Sequence, residues 1–326
     1  MTDARALATF CAHGGRVGEA RALFGGEDWI DLSTGIAPWA WPARVAAGAL
    51  ERLPEPGELD ALEAAAAEAF GVTHPANVAA VPGTDMAMRL LAPLLGATRP
   101  AVLEPSYAGH RAAWPYAASI TDIEDPRLVG RDLFVLASPA NPDGRIADRA
   151  ALIRLSERMR LVVDQAYVDP DPGLAPFASD RLIVLRSFGK FYGLPGLRLG
   201  FVIAGPGITS RLRSALGDWP VSSPAVGIGS AAYRDGAWQA MQRQRIADAG
   251  AMLDALLAGA GLSIVGRAPL FRLIAHERAD ALFEALARHA ILTRPFADAP
   301  DRLRIGLPRD AAASARLGAA LKEFAR

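Results

Sequence analysis

Lysine is nearly absent from this chain of 326 residues. Only Lys190 and Lys322 are present, and every other one of its 35 basic residues is an arginine. Cysteine is rarer still, since Cys11 stands alone; this excludes a disulfide within the chain and fits a reducing compartment. One of the two lysines lies between a glycine and two aromatic residues, in RSFGKFYGLPGLRLGF, residues 186–201. That position calls for something that arginine cannot supply.

A net charge and long apolar runs are lacking as well. The formal net charge is zero at pH 7 and no dense basic run occurs, which argues against a nucleic-acid partner. No apolar run reaches the roughly 18 residues that a membrane helix needs, and the first residues lack the apolar segment of a signal peptide. We therefore expect a cytoplasmic globular protein with no membrane partner, and we predict no metal site.

The hydrophobic pattern indicates an α/β fold. From about residue 58 to residue 205, helical patterns alternate with short apolar runs such as NVAAVPG, PAVLEP, DLFVLASP and RLVVDQAY. Strands that alternate with helices favour a mostly parallel sheet sandwiched by helices. Beyond about residue 220, one long helix and several shorter elements indicate a smaller C-terminal α/β domain. We predict an N-terminal arm over residues 1–44, a large domain over 45–217 and a small domain over 218–326.

In open parallel sheets, ligands bind beyond the carboxyl ends of the strands. The residues at those positions are 82–85, 104–107, 138–141, 164–167 and 187–190. Each segment alone could be an ordinary turn or a helix cap. Together they would bring a lysine, an aspartate, an asparagine, two tyrosines and the glycine-led start of a helix to one edge of the sheet.

That set of side chains suits pyridoxal 5'-phosphate. A lysine amine can form a Schiff base with the cofactor, whereas an arginine guanidinium stays protonated and cannot. An aspartate at the pyridine nitrogen keeps the ring protonated, so that it withdraws electrons. A helix N-terminus binds the phosphate through its backbone N–H groups, and an aromatic side chain packs on the ring. The sequence therefore predicts that Lys190 carries the cofactor instead of being a surface lysine.

Four motifs, NPDG, VVDQAY, SFGKFYGLPGLRLGF and LRIGLP, occur in an order and spacing that resemble the fold-type I, class I/II aminotransferase-like enzymes. The resemblance covers nearly the whole chain. It implies that Lys190 forms the Schiff base and that Asp164 faces the pyridine nitrogen. It also implies that Asn141 and Tyr167 bind the phenolic oxygen of the cofactor and that Tyr107 stacks on the ring. Lys190, Asp164 and Tyr107 are the predicted catalytic residues.

The same resemblance assigns two anion sites. Arg304, in LRIGLP, matches the arginine that binds the substrate carboxylate, although with so many arginines in the chain an ordinary surface role is the alternative. The cofactor phosphate would be lined by Gly83, Thr84, Asp85, Ser187 and Arg198.

The N-terminal segments HGGRVGEARALFG and WIDLSTGIAPWAWP resemble the start of the threonine-phosphate decarboxylases of cobalamin biosynthesis. The resemblance implies that this arm folds over the active site. His13 and Gly14 would then hold the substrate phosphate, and the backbone of Gly35 would approach the substrate carboxylate. The alternative is that His-Gly-Gly is only a flexible turn.

Some positions depart from the pattern of these relatives. Gly35 and Ala37 stand where many relatives carry asparagine, and Gly189 stands where a serine or threonine is frequent. Leu53 replaces a tyrosine that in relatives reaches the cofactor phosphate of the neighbouring subunit. These changes leave the cofactor chemistry intact, but they leave open the substrate and one contact between subunits.

The resemblance implies decarboxylation of L-threonine O-3-phosphate to (R)-1-amino-2-propanol phosphate by a homodimer. The substrate partner would then be a phosphorylated amino acid. One alternative is an aminotransferase similar to the histidinol-phosphate enzymes, because the same residues can support transamination. A second alternative is a protein that binds the cofactor without catalysis. Retention of the lysine, the aspartate and the carboxylate-binding arginine argues against the second.

Overall fold

The computed structural model describes residues 4–325, so residues 1–3 of the predicted arm and residue 326 lie outside the described part. The α-helices are α1 (Ala4–Ala12), α2 (Val17–Phe24), α3 (Pro56–Phe70), α4 (Thr84–Leu95), α5 (Ala108–Ala113), α6 (Arg149–Ser156), α7 (Phe188–Phe191), α8 (Pro206–Leu216), α9 (Ser223–Arg234), α10 (Gly236–Gly259), α11 (Ala279–Arg288) and α12 (Ala311–Phe324). The strands are β1 (Ile30–Asp31), β2 (Val78–Val81), β3 (Pro100–Leu103), β4 (Ala118–Ile120), β5 (Leu133–Ala137), β6 (Arg160–Asp164), β7 (Leu182–Ser187), β8 (Gly200–Ile203), β9 (Ser263–Ala268), β10 (Phe271–Ala275), β11 (Ile291–Leu292), β12 (Arg294–Pro295) and β13 (Arg302–Gly306).

The chain divides into two compact units. The large unit consists of Ala40–Asn141 and Arg145–Met241. The small unit consists of the residues up to Trp39, Pro142–Gly144 and the chain from Gln242 onward. None of the described helices is long and apolar enough to cross a membrane.

These units differ from the predicted domains in several segments; among them, residues 40–44 of the predicted arm lie in the large unit and Pro142–Gly144 lie in the small unit. The rest of the described arm belongs with the C-terminal part, because β1 pairs in parallel with β11. Residues 218–241 belong with the large unit, because α9 packs along α3 and carries Tyr233 to within 5.2 Å of the Phe70 ring. The hydrophobic pattern alone did not reveal either contact.

The large unit is built on a seven-stranded sheet with the strand order β2-β8-β7-β6-β5-β3-β4. Pairing is parallel from β7 to β4, and β8 runs antiparallel to both of its neighbours. Because two antiparallel pairings restore the direction, β2 runs the same way as β7. The carboxyl ends of β2, β3, β5, β6 and β7 therefore meet at one edge of the sheet. The predicted mostly parallel sheet is confirmed.

Helices cover both faces of this sheet, as predicted. The inner strands are buried along nearly their whole length, with Arg160 at the start of β6 exposed, which explains why they read as nearly continuous apolar runs. Neighbouring residues of one strand point to opposite faces. In β8, Val202 joins a buried cluster with Leu91 of α4. The neighbouring side chain, that of Phe201, points to the other face and packs against Phe70 of α3 and Tyr233 of α9.

The small unit contains a four-stranded antiparallel sheet with the order β12-β13-β10-β9, as well as the β1–β11 pair. Helices α11 and α12 contact each other and bury Leu282, Phe283, Leu286 and Leu317. The second, smaller α/β part that the sequence predicted therefore exists. The antiparallel order of its sheet was not predicted, because short apolar runs do not show strand direction.

Candidate active site

A cavity opens in the large unit at the carboxyl edge of its sheet. Its volume is about 160 Å³. The predicted cofactor residues all line it, namely Gly83, Thr84, Asp85, Tyr107, Asn141, Asp164, Tyr167, Ser187, Lys190 and Arg198. The strand order explains this convergence, because each of these residues lies beside a strand end at the same edge.

Lys190 enters the cavity from α7, a single helical turn that follows β7 directly. Phe188 and Phe191 of this turn are buried and hold it against the core. The Lys190 amine lies 5.7 Å from the centre of the Tyr167 ring. Gly189 packs closely on the next loop, and a Cβ there would lie 2.8 Å from the Cα of Pro195. This close approach is a physical reason for glycine where relatives often carry serine or threonine.

Asp164 ends β6 and is almost fully buried, with 6% of its surface exposed. Its Oδ1 accepts a hydrogen bond from the Ala166 N–H at 3.0 Å. Its Oδ2 lies 3.3 Å from Nε2 of the fully buried His110. Two partners from different elements therefore fix the carboxylate, as a group that must hold one orientation requires.

His110 was missed by the sequence reasoning. It lies in α5, three residues after Tyr107, so the helical turn that presents the predicted stacking residue also presents the histidine. The two rings lie 5.8 Å apart, edge to face. The spacing was visible in SYAGHRAAW, but nothing in the sequence alone linked that histidine to Asp164.

Tyr107 is held by a carboxylate. Its hydroxyl donates to Oδ1 of Asp85 at 3.2 Å. Burial, together with the neighbouring Asp85 charge, raises the pKa of Tyr107 to about 12. The phenol therefore stays protonated near neutral pH, and its orientation is set by α4, on which Asp85 lies.

Residues predicted to hold the cofactor phosphate meet where α4 begins. Gly83 precedes the helix with φ +90°, and a Cβ there would lie 2.7 Å from Nη2 of Arg198. The guanidinium thus lies directly against the loop that starts a twelve-residue helix. Helix N-termini favour anions because their first N–H groups have no partner in the helix. An N-terminus with an arginine beside it is chemically suited to a phosphate group.

Asn141 follows β5 on a tight loop. The Ala140 N–H donates to the carbonyl oxygen of Arg145 at 2.8 Å, which closes this loop. The Arg145 side chain in turn donates to the carbonyl oxygens of Thr121 and Glu104, each at 3.1 Å. Glu104 begins the segment that carries Tyr107, so two loops of the cavity are tied together.

The predicted substrate residues lie in the small unit instead. His13 is exposed in a turn after α1, and Gly14 follows it. Gly35 is buried with φ +59°. Arg304 lies in β13 with 5% of its surface exposed, and its Nη2 donates to the carbonyl oxygen of Ser33 at 2.5 Å. The role of these four residues in substrate binding stays a prediction.

Comparison with known proteins places the chain in a family. The model of the family "aminotransferase class I and II" matches residues 37–317. The chain belongs to this family. Both the resemblance and the fold class predicted from the motifs are thereby confirmed.

Two curated relatives are similar over nearly the whole chain. A threonine-phosphate decarboxylase from Pseudomonas aeruginosa is 40% identical over 330 residues, covering 96% of this chain and 97% of that protein. Another from a Sinorhizobium species is 41% identical over 326 residues, covering 95% and 97%. Among solved structures, the histidinol-phosphate aminotransferase of Sinorhizobium meliloti in complex with pyridoxal-5'-phosphate superposes with a TM-score of 0.84 at 24% identity, covering 95% of this chain and 94% of that one. The last likeness concerns the fold alone.

The residues of the cavity fit the cofactor that their motifs predict. An amine, a buried carboxylate fixed by two partners, and a helix N-terminus with an arginine against it line one cavity. Pyridoxal phosphate needs a group of each kind, for its aldehyde, its pyridine nitrogen and its phosphate.

Replacing Lys190 by alanine should abolish the absorption band of the Schiff base between the lysine and the cofactor, because alanine has no amine to hold the aldehyde carbon. Lys322→Ala is a matched control, since Lys322 lies in α12 of the small unit, and it should keep the absorption. Borohydride reduction followed by peptide mass spectrometry should find the cofactor mass on Lys190. Its recovery on Lys322, or on neither lysine, would contradict the assignment.

Proposed function

We propose that this chain is a pyridoxal-phosphate-dependent lyase that decarboxylates L-threonine O-3-phosphate in cobalamin biosynthesis. The products would be (R)-1-amino-2-propanol phosphate and carbon dioxide. The observation that carries the proposal is the identity of about 40% to two threonine-phosphate decarboxylases over nearly the full length of each protein. The fold does not discriminate between this reaction and transamination, because an aminotransferase shares it.

The large unit would supply the groups that act on the α-carbon. When bound, pyridoxal phosphate withdraws the electron pair that remains on that carbon after a bond to it breaks. Asp164, fixed by His110 and the Ala166 N–H, would hold a proton at the pyridine nitrogen. Lys190 would bind the cofactor and then move a proton to the α-carbon. Tyr107 would pack on the ring as a neutral phenol.

The bond that breaks decides the reaction. In decarboxylation, the bond between the α-carbon and the carboxyl carbon breaks, its electron pair stays on the α-carbon, and carbon dioxide leaves. A proton from Lys190 or from water then replaces the lost group, so no oxidant is needed. In transamination, a proton leaves the α-carbon instead, and the carboxylate is retained.

The small unit would hold the anionic groups of the substrate. Arg304 carries a buried guanidinium suited to a carboxylate, and the backbone of Gly35 would approach the same group. The turn with His13 and Gly14 offers an imidazole and backbone N–H groups to a phosphate. A phosphate carries between one and two negative charges at neutral pH and requires several donors.

The decisive assay is to incubate the cofactor-loaded protein with threonine phosphate and to measure carbon dioxide and 2-oxo acid separately. We expect about one carbon dioxide per substrate consumed and no stoichiometric oxo acid, because loss of the carboxylate leaves the amine on the product. Stoichiometric oxo acid, formed with a keto-acid acceptor present, would establish an aminotransferase. The absence of both products would contradict threonine phosphate as the substrate.

The proposal includes a homodimer. Leu50, Leu53 and Trp219 of the large unit are 81%, 58% and 57% exposed, and the last two line a groove together with Pro54 and Pro56. Large apolar side chains exposed beside a groove are typical of a surface that another chain covers. Leu53 lies where relatives carry the tyrosine that crosses to the partner, so a second copy of this chain is the proposed occupant.

Sedimentation of the purified protein should give the mass of two chains, and Trp219→Glu should shift it towards one chain by placing a charge in the apolar contact. Val129→Glu provides the control, because Val129 is 86% exposed and does not line the groove. A wild-type protein that is monomeric and fully active would refute the dimer.

A further inference from the structure

The His-Gly-Gly turn of the arm is held in place on both sides of His13. Before it, the carbonyl oxygen of Ala12 accepts a hydrogen bond from Nη2 of Arg294 at 2.9 Å. After it, the Gly15 N–H donates to Oγ of Ser33 at 2.8 Å. Exposed loops are usually mobile, but a loop with an anchor at each end loses much of that freedom. The structure therefore gives His13, though exposed, a defined position.

Ser33 connects this turn to the carboxylate-binding arginine. Its side chain bonds the turn through Gly15, while its own carbonyl oxygen accepts from Nη2 of Arg304. Ser33 itself is 1% exposed. One buried residue thus contacts both of the groups that are predicted to hold the anions of the substrate.

Asp31 fixes the direction of these hydrogen bonds. Its Oδ1 accepts from the Ser33 N–H at 2.8 Å and from the Ser33 hydroxyl at 2.5 Å. A serine hydroxyl has one hydrogen to donate. Because that hydrogen goes to Asp31, the oxygen lone pairs of Ser33 are available to accept the Gly15 N–H. Asp31 therefore orients the hydroxyl that holds the turn.

Close backbone contact explains the first glycine of the motif. A Cβ on Gly14 would lie 2.6 Å from the carbonyl oxygen of Ser33 and 2.8 Å from its Oγ. No side chain fits there unless Ser33 or the turn moves. By contrast, a Cβ on Gly18, four residues later, would meet nothing within 4 Å. The motif thus records a packing requirement, which argues against a turn that is flexible by default.

We infer that Asp31 and Ser33 are positioning residues that fix the spacing between the His13 turn and Arg304. If the proposed function is correct, this spacing selects substrates that carry two anionic groups at a set separation, a phosphate and a carboxylate. An amino acid with only one anion would engage one end of the pair. Neither Asp31 nor Ser33 needs to touch the substrate for this effect.

The test separates the hydroxyl of Ser33 from its carbonyl group. Ser33→Ala removes the bond to Gly15 but retains the carbonyl that holds Arg304. We expect amide hydrogen exchange at Gly15 to accelerate about tenfold, the size of one lost hydrogen bond. We expect the KM for threonine phosphate to rise about tenfold with kcat within about threefold, because the substrate loses a ground-state contact. Ser314→Ala, which removes a hydroxyl that donates to the Asp310 carbonyl oxygen at the start of α12 in the same unit, should change neither quantity.

A second variant tests the same inference in case Ser33→Ala does not fold. Gly14→Ala forces the turn away from the Ser33 carbonyl, so it should disturb Arg304 as well, lowering kcat in addition to raising KM. Gly18→Ala provides its matched control and should behave as the wild type, because the added methyl group meets no other atom.

Each outcome has one meaning. Unchanged exchange at Gly15 in Ser33→Ala would overturn the anchor itself, whatever the enzyme does. Faster exchange with an unchanged KM would overturn the positioning role while leaving the proposed reaction intact. Exchange is measured without substrate, so it remains informative even if the wild-type protein releases no carbon dioxide and the proposed function fails.

Discussion

The site depends on the direction of the strands in one sheet. Parallel strands have their carboxyl ends at the same edge, so the residues that follow them meet without long loops. The antiparallel strand β8 lies between β2 and β7 and leaves those two running the same way. The start of α4, Asp164 and Lys190 consequently face one cavity, although more than 100 residues separate Gly83 from Lys190. A reversal of any of these strands would move its residue to the opposite edge.

Hydrogen-bond partners hold the side chains at this edge of the sheet in defined orientations. Asp164 is held by His110 and a backbone N–H, and Tyr107 is held by Asp85. Each of these partners comes from a different element of the large unit. A buried carboxylate keeps its orientation only if its acceptor sites are occupied, because an unpaired buried charge is costly. The Arg145 contacts add a tie between two loops of the cavity. The geometry of the site is thus set in part by a contact that the sequence did not reveal, that between His110 and Asp164.

Lys190, Asp164 and Asn141 could be predicted because each lies near a strand end and within a motif. The positions of residues after predicted strands and the resemblance of the motifs to a known family both pointed to Lys190, Asp164 and Asn141. The structure brings all three to one cavity. His110 could not be found in this way, since a histidine inside a short helix carries no signal of a partner 54 residues away. Ser33 was missed for the same reason. Its contacts are with a turn that precedes it and a strand far beyond it.

The hydrophobic pattern of the sequence predicted only part of the fold. Strand existence was predicted for β2, β3, β5 and β6, whose apolar runs are nearly continuous. The edge strand β4 was not predicted, because only Ile120 of its three residues is buried and its pattern is short. The boundaries between units were displaced because the β1–β11 pairing and the contact between α9 and α3 are tertiary. Hydrophobic periodicity reports which face of an element is buried, but it does not report against what.

The central claim is that this chain acts on a phosphorylated amino acid and removes its carboxyl group. The most direct test is the ratio of kcat/KM for threonine phosphate to that for free threonine, with carbon dioxide measured for both. A site with several donors for a phosphate leaves them unpaired when the phosphate is missing, at about 1–3 kcal/mol for each. Two such donors at about 2 kcal/mol each predict a ratio of about 1,000. A ratio near one, or carbon dioxide from neither substrate, would contradict the account.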